Sequence, residues 1–177
     1  MLVCADKRMV EKALLGDHQF GFLASQEIGT IAHIEAWQML DDGRSLVSIR
    51  GGSRFAVQRR WHEDCTDCNT GPLTFVDAQF VNDTTHGLAA GSLARESIGL
   101  YHKLVDVKAH VALQQHLGQM PTLPKNGSYA ISMWLSGACA SHPQCYIAEQ
   151  LLRSRSTNER LEAIIAWQRE LLTKTSR

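Results

Sequence analysis

The sequence predicts an α+β fold, with a bent antiparallel β subdomain over residues 1–86 and a helical bundle over residues 87–177. Three observations carry that prediction. Ile28–Leu40 and Ser45–Ile49 are apolar-patterned runs joined by Asp41-Asp42-Gly43-Arg44. Asp-Gly between such runs is a strong hairpin signal, because glycine takes a positive φ at no steric cost. Gly51-Gly52 then interrupts the pattern before a further strand over Arg54–Arg60, which marks a bulge or corner that curls the sheet. From Leu93 onward the apolar residues recur at helical spacing instead. Strands first and helices second imply segregated layers.

The elements follow in order. Met9, Val10, Ala13 and Leu14 form one stripe of a helix over Asp6–Leu15, closed by Gly16. His18–Ala24 is a short apolar strand with Phe20 and Phe22 on one face. In Ile28–Leu40 the residues Ile31 and Ile34 are out of strict alternation, which a bulge reconciles. Phe55 and Val57 alternate with Arg54 and Gln58, the spacing of a half-buried strand. Trp61–Pro72 reads as a polar loop and Leu73–Val81 as the return strand. Leu93–Leu117 reads as one long helix, kinked near Gly99. A proline-bearing loop over 120–127 precedes a helix over Ser128–Ala140, with Ile131, Trp134, Leu135 and Ala138 on one face. Pro143 opens a short helix ending at Leu151-Leu152. Ser156-x-x-Glu159 is a capping box for the last helix, whose core stripe is Leu161, Ile164, Ile165, Gln168, Leu171 and Leu172.

Composition narrows the function. At 177 residues the chain can bury a sizeable core, about 70% of its unfolded surface. Eighteen basic and eighteen acidic residues cancel, so no basic excess suits a nucleic acid or an anionic membrane. There is no apolar run of transmembrane length and no signal peptide at the start. The odd count of five cysteines in an unsecreted chain favours reduced thiols, hence an intracellular setting, cytoplasm or organelle matrix. No Gly-x-x-x-x-Gly-Lys-Ser/Thr phosphate loop and no arguable Ser/His/Asp set is present, so no catalytic residue is assigned and no enzyme is expected.

His62-x-x-Cys65-x-x-Cys68 has metal-ligand spacing. A zinc site needs a fourth ligand, for which His86 and Cys145 are the loose candidates. A redox role wants the Cys-x-x-Cys at a helix N-terminus. Two free thiols in a variable loop explain the pair more simply, so neither metal nor cofactor is assigned, and a zinc- or redox-dependent protein stands as the alternative reading. His102 and His110 are about two turns apart on a helix, not the i, i+4 of a metal pair. Among the four tryptophans, Trp134 and Trp167 fall on helix stripes and belong to the core, whereas Trp61, at the mouth of the polar loop, is the one expected at the surface. Trp37, Arg54, Phe55 and Trp61 are the candidate substrate-binding residues, an exposed aromatic on a groove being one way to hold an extended apolar peptide. Arg54 is better explained as a strand residue salt-bridging across the sheet, since an arginine beside a bulge commonly pairs with backbone carbonyls or a carboxylate.

Gly29-Thr30-Ile31-Ala32-His33-Ile34, Asp42-Gly43-Arg44 and Gly51-x-x-Arg54-Phe55-x-Val57 resemble, in order and spacing, the substrate-binding N-terminal domain of Lon proteases. Lys7-Arg8-Met9-Val10, Phe20-Gly21-Phe22-Leu23, Phe80-Val81-Asn82-Asp83, Glu149-Gln150-Leu151-Leu152 and Glu159-Arg160-Leu161 extend the resemblance to roughly residues 5–172, leaving 62–72 and 84–92 unmatched. It implies a PUA-like partial barrel followed by a helical bundle. It also implies a non-catalytic domain that binds unfolded, misfolded or degron-bearing protein segments, alongside a protease or ligase partner. The family's opening Pro-Leu-x-Pro-Leu strand is not matched. Either the sequence is a truncated piece of a longer chain or the sheet lacks its first strands, which in a stand-alone fragment would leave an exposed edge or groove.

Overall fold

The computed structural model describes residues 2–5, 7–23, 27–42, 44–63, 72–83, 89–123 and 127–175. The chain divides into two compact units, Met1–Asn82 and Asp83–Arg177, the first built on a sheet and the second all helical. The fold class is α+β, as the change of period indicates.

The first unit is an open five-stranded antiparallel sheet. Its strands are β1 (Leu2–Ala5), β2 (Gln19–Leu23), β3 (Ile28–Met39), β4 (Ser45–His62) and β5 (Thr74–Val81). Helix α1 (Lys7–Leu15) lies between β1 and β2 in the chain. The axis of the unit is the β3–β4 hairpin. Its turn closes through Leu40 N–H donating to the Arg44 carbonyl at 2.8 Å. Asp42 Oδ1 accepts from Arg44 N–H at 3.0 Å, and the Arg44 guanidinium holds the Asp42 carboxyl below its usual range. Gly43 lies outside the described residues.

Arg54–Arg60 is not a separate strand after a break at Gly51-Gly52. Both glycines lie inside the continuous strand β4. The register explains why. Thr30 pairs with Arg54 and Ala32 with Gly51, so β4 carries one more residue than β3 in that interval, and the expected bulge is absorbed within the ladder. A second shift lies between Ile34 and Ala36, beyond the interval from Ile31 to Ile34. The expected bulge is therefore not what separates those two residues: Ala32 and Ile34 are buried in strict alternation, and Ile31, only half-buried, belongs to the other face. The long β4 then changes partner on its other side, from β1 at 45–48 to β5 at 54–62. Strand β1 was not expected from the sequence. Four residues flanked by a helix start leave too short a pattern to read. Val10, Ala13, Ala32, Ile34, Val47 and Ile49 form the apolar cluster of this unit.

The second unit packs α2 (Ala90–Leu104), α3 (Val107–Leu117), α4 (Gly127–Ala140), α5 (Ala148–Arg153) and α6 (Thr157–Thr175). The expected single helix over Leu93–Leu117 is two helices, straight through Gly99 and broken at Val105-Asp106. Val105 is extended, and Asp106 caps α3 by accepting from Ala109 N–H at 2.8 Å. An aspartate that satisfies an orphan amide favours starting a new helix over continuing the old one. Pro143 does not open α5, which starts at Ala148 after a run of turns from His142 to Cys145. The capping box at α6 is half formed, with Glu159 N–H donating to Ser156 Oγ at 3.3 Å.

The core of this unit contains Ile131, Trp134, Leu135, Leu151, Leu161, Ile164 and Trp167, in agreement with the stripes read from the sequence. Trp134 spends its ring N–H on the Gly118 carbonyl at 2.9 Å. Ser97 and Gln168 satisfy one another in the interior between α2 and α6, at 3.0 Å. Helix α3 has no buried residue. It packs on the core through half-buried Leu113 and Leu117, and its first turn is held by the cap, so Asp106→Ala should cost about 1 kcal/mol locally. Amide exchange of residues 107–117 should quicken while the global unfolding midpoint moves little. A large drop in the midpoint would contradict this.

Cys139 lies buried in the same core, and burial, then the nearby Cys145, pushes its thiol up to about 12. Since the thiolate is the nucleophile, Cys145, which is half-buried, should alkylate well before Cys139 at about pH 8. Mass mapping after iodoacetamide treatment checks this, and faster labelling of Cys139 would overturn it. The raised value has a defined sign for stability. Ionisation of the unfolded chain above the ordinary thiol value of 9.0 favours unfolding, so this contribution is complete below that pH and is lost as pH climbs toward 12.

Candidate functional site

In the β unit, Phe55 anchors a groove. The ring is fully buried, between buried Arg54 and half-buried Ala56 on β4. It fits because the facing strands carry glycine there. A Cβ on Gly29 would stand 2.5 Å from Phe55 Cζ and 2.7 Å from the Phe22 carbonyl oxygen, and one on Gly21 would stand 2.9 Å from the same Cζ. Gly29 is the register partner of Phe55. The Gly-Thr and Arg-Phe pairs noted in the sequence are thus two halves of one packing contact.

Over this ring opens a cavity of about 340 Å3 between α1, β2 and β5. Its walls are largely apolar, with Met9 on α1, Phe20 and Leu23 on β2, and Leu73, Phe75 and Val76 on or beside β5. Trp61, near the end of β4, stacks on Phe75 with centroids 5.9 Å apart and planes 16° off parallel. Lys12 Nζ stands 4.9 Å from the Phe75 centroid and 2.5 Å from Glu63 Oε1. Phe75 is therefore fixed by an aromatic and a cation together, each contact of the order of 0.5–1.5 kcal/mol. The Lys12–Glu63 pair is half exposed and adds little by itself.

The sequence candidates separate. Trp61 borders the groove through Phe75 and is 41% exposed. Phe55 is interior, the floor of the groove and no part of the open surface. Arg54 is buried at 2% exposure, pairing in register with Thr30 on one side and Val81 on the other, which favours the strand-residue explanation. Trp37 is 49% exposed but pairs with Val47 near the start of β4, whereas Trp61 lies at its end, so the register keeps the two tryptophans apart. His62 takes a hydrogen bond with Thr74 Oγ1 at 3.1 Å across the β4–β5 ladder. Cys65 and Cys68 lie outside the described residues. Among the described residues no three His, Cys, Asp or Glu side chains gather as a metal site.

Lys12, Leu73 and Phe75 were missed as candidates. Leu73 and Phe75 are brought to Trp61 by the β4–β5 register, in which Trp61 faces Phe75, and Lys12 reaches the same ring from α1, far away in sequence. Likewise His102 and His110, read as two turns apart on one helix, have ring centroids 5.7 Å apart because the chain breaks between them. Tyr101 hydroxyl bonds His110 Nδ1 at 2.8 Å, and His102, His110 and Trp134 surround the tyrosine ring. A wider, polar recess of about 750 Å3 lies along α5 and α6, but its walls are internally paired, Glu149 with Arg153 at 2.6 Å and Tyr146 with Glu170 at 2.5 Å.

No family model and no curated protein matches the sequence. Solved structures do match. The N-terminal domain of the Mycobacterium avium complex Lon protease superposes over 95% of this chain and 89% of its own, with a TM-score of 0.63 at 20% identity. A Lon N-terminal domain protein from Xanthomonas campestris covers 94% of this chain and 88% of its own, with a TM-score of 0.57 at 19% identity. The chain therefore has the fold of Lon N-terminal domains, the fold that the sequence motifs imply.

Proposed function

We propose that this chain is a substrate-recognition domain of the Lon type, which binds unfolded, misfolded or degron-bearing segments of other proteins and carries out no chemistry itself. The observation that carries the reading is the fold match to Lon N-terminal domains over nearly the whole chain. The apolar groove beside Trp61 and Phe75 supports it, since an open recess whose described lining is largely apolar suits holding a chain. A protease or ligase that receives the captured protein is the partner this function calls for. An intracellular setting, in cytoplasm or organelle matrix, accords with it, and no helix among the described residues is long and apolar enough to cross a membrane.

Co-sedimentation with one model protein in two states tests the proposal. The reduced, alkylated and permanently unfolded form should be carried down with this chain, and the native form of the same protein should stay in solution. Equal recovery of both forms, or of neither, would overturn the reading.

A further inference from the structure

The groove has two walls of one kind. Among the described residues β2 is hydrogen-bonded only to β3 and β5 only to β4, so each ends the sheet with a free edge. Both edges border the same cavity. An edge strand presents a row of N–H and C=O groups suited to pairing with another extended chain. We propose that the groove receives an uncharged, extended segment of a partner protein as an added β-strand, recognised by main-chain hydrogen bonds to an edge of β2 or β5. This deepens the recognition function and rests on it.

Charge and shape select the occupant. Lys12 and Asp17 are the charged residues lining the groove; they cancel, and Lys12 already holds Glu63. A charged segment would find no counter-charge there, whereas an uncharged one loses nothing. The recess, about 340 Å3, is near the lower end of ligand cavities and takes a few side chains, not a folded element. Edge β2 has five residues, so about 17 Å of extended chain pairs along its length. In such a strand alternate side chains face the sheet, so a period-two apolar pattern directs its apolar residues onto Phe20, Leu23, Leu73 and Val76.

The test uses the full chain and a fluorescein-labelled peptide of about ten residues with alternating valine and threonine, long enough to cover β2. Its twin carries N-methyl groups on alternate amides, which removes the donors of one edge and leaves the side chains unchanged. An unfolded protein is titrated in parallel. Polarisation should show binding of the parent peptide, weakened by about tenfold or more in the twin, since several main-chain bonds are lost together. Leu73→Lys, which places a charge in the groove wall, should weaken the parent peptide similarly. The peptide pair on the unaltered chain decides the matter even if that variant fails to fold. Equal binding of parent and twin, or binding of the unfolded protein without the parent peptide, overturns strand addition and leaves the recognition function standing. Failure of the unfolded protein and the peptide alike overturns both.

Discussion

Replacing Arg160 by methionine should remove roughly 3–5 kcal/mol of stability from the helical unit, a large share of the 5–15 kcal/mol typical of a folded domain. The Arg160 side chain is 0% exposed and that of Asp83 is 2% exposed. The guanidinium meets both Asp83 carboxylate oxygens, at 2.8 and 2.9 Å. Its remaining N–H groups donate to the Leu151 carbonyl at 3.2 Å, the Ser154 carbonyl at 2.8 Å and Ser132 Oγ at 2.9 Å. Thr157 hydroxyl adds a bond to Asp83 Oδ2 at 2.8 Å. One side chain therefore ties the start of the unit, α4, α5 and the first turn of α6 into a single network. Removing it leaves a carboxylate without its cation in the interior and strips two carbonyls of their donor, which is where the cost arises. Asp83→Asn should be milder, because the amide oxygen still accepts one bond. Unlike an isolated buried pair, the double replacement with apolar residues should not restore stability, because the Leu151 carbonyl and Ser132 Oγ would still lose the N–H bonds that Arg160 donates. Urea unfolding of the three variants measures this, and a loss below about 1 kcal/mol for Arg160→Met, the scale of a surface pair, would refute it.

The second large effect is expected at Gly29. In Gly29→Ala the new Cβ meets Phe55 Cζ and the Phe22 carbonyl oxygen, both well inside contact distance. The ring could retreat, but the carbonyl belongs to β2, which is hydrogen-bonded to β3. Overpacking of this sort costs about 1–3 kcal/mol, and the backbone contact places this site at the upper end. Gly21→Ala touches only the ring edge, so it should cost less. Phe55→Leu should rescue Gly21→Ala in large part and Gly29→Ala only in part. Denaturant midpoints of the single and double variants give the coupling directly. Full rescue at both positions would mean that the Phe22 carbonyl imposes no constraint.

Much of this architecture was legible in the residues. Asp41-Asp42-Gly43-Arg44 marked the hairpin, Gly51-Gly52 its bulge, and the stripe from Leu161 to Leu171 the buried face of α6. These are local signals, set by backbone sterics and a fixed period. The misread positions depended on a competing local preference or on long-range pairing. Gly51-Gly52 resembles a break until β3 supplies the partner that keeps the strand continuous. Asp106 in an apolar helix pattern resembles a surface residue until its side chain caps a neighbouring amide. The groove was the least legible part. Trp61 could be singled out by type, but Phe75 meets it only through the sheet register, and Lys12 only through the packing of α1 beside that ring. Arg160 carried no sequence signal of burial either, since its counter-ion lies far back along the chain at Asp83.

The account centres on capture of unfolded chains, and the most direct measurement is a polarisation titration of a labelled, permanently unfolded protein with the full chain. Saturable binding with a Kd of about micromolar order is predicted, competed by the unlabelled unfolded protein and not by its native form. A flat titration to about 100-fold above that concentration, or equal competition by the native form, would contradict it.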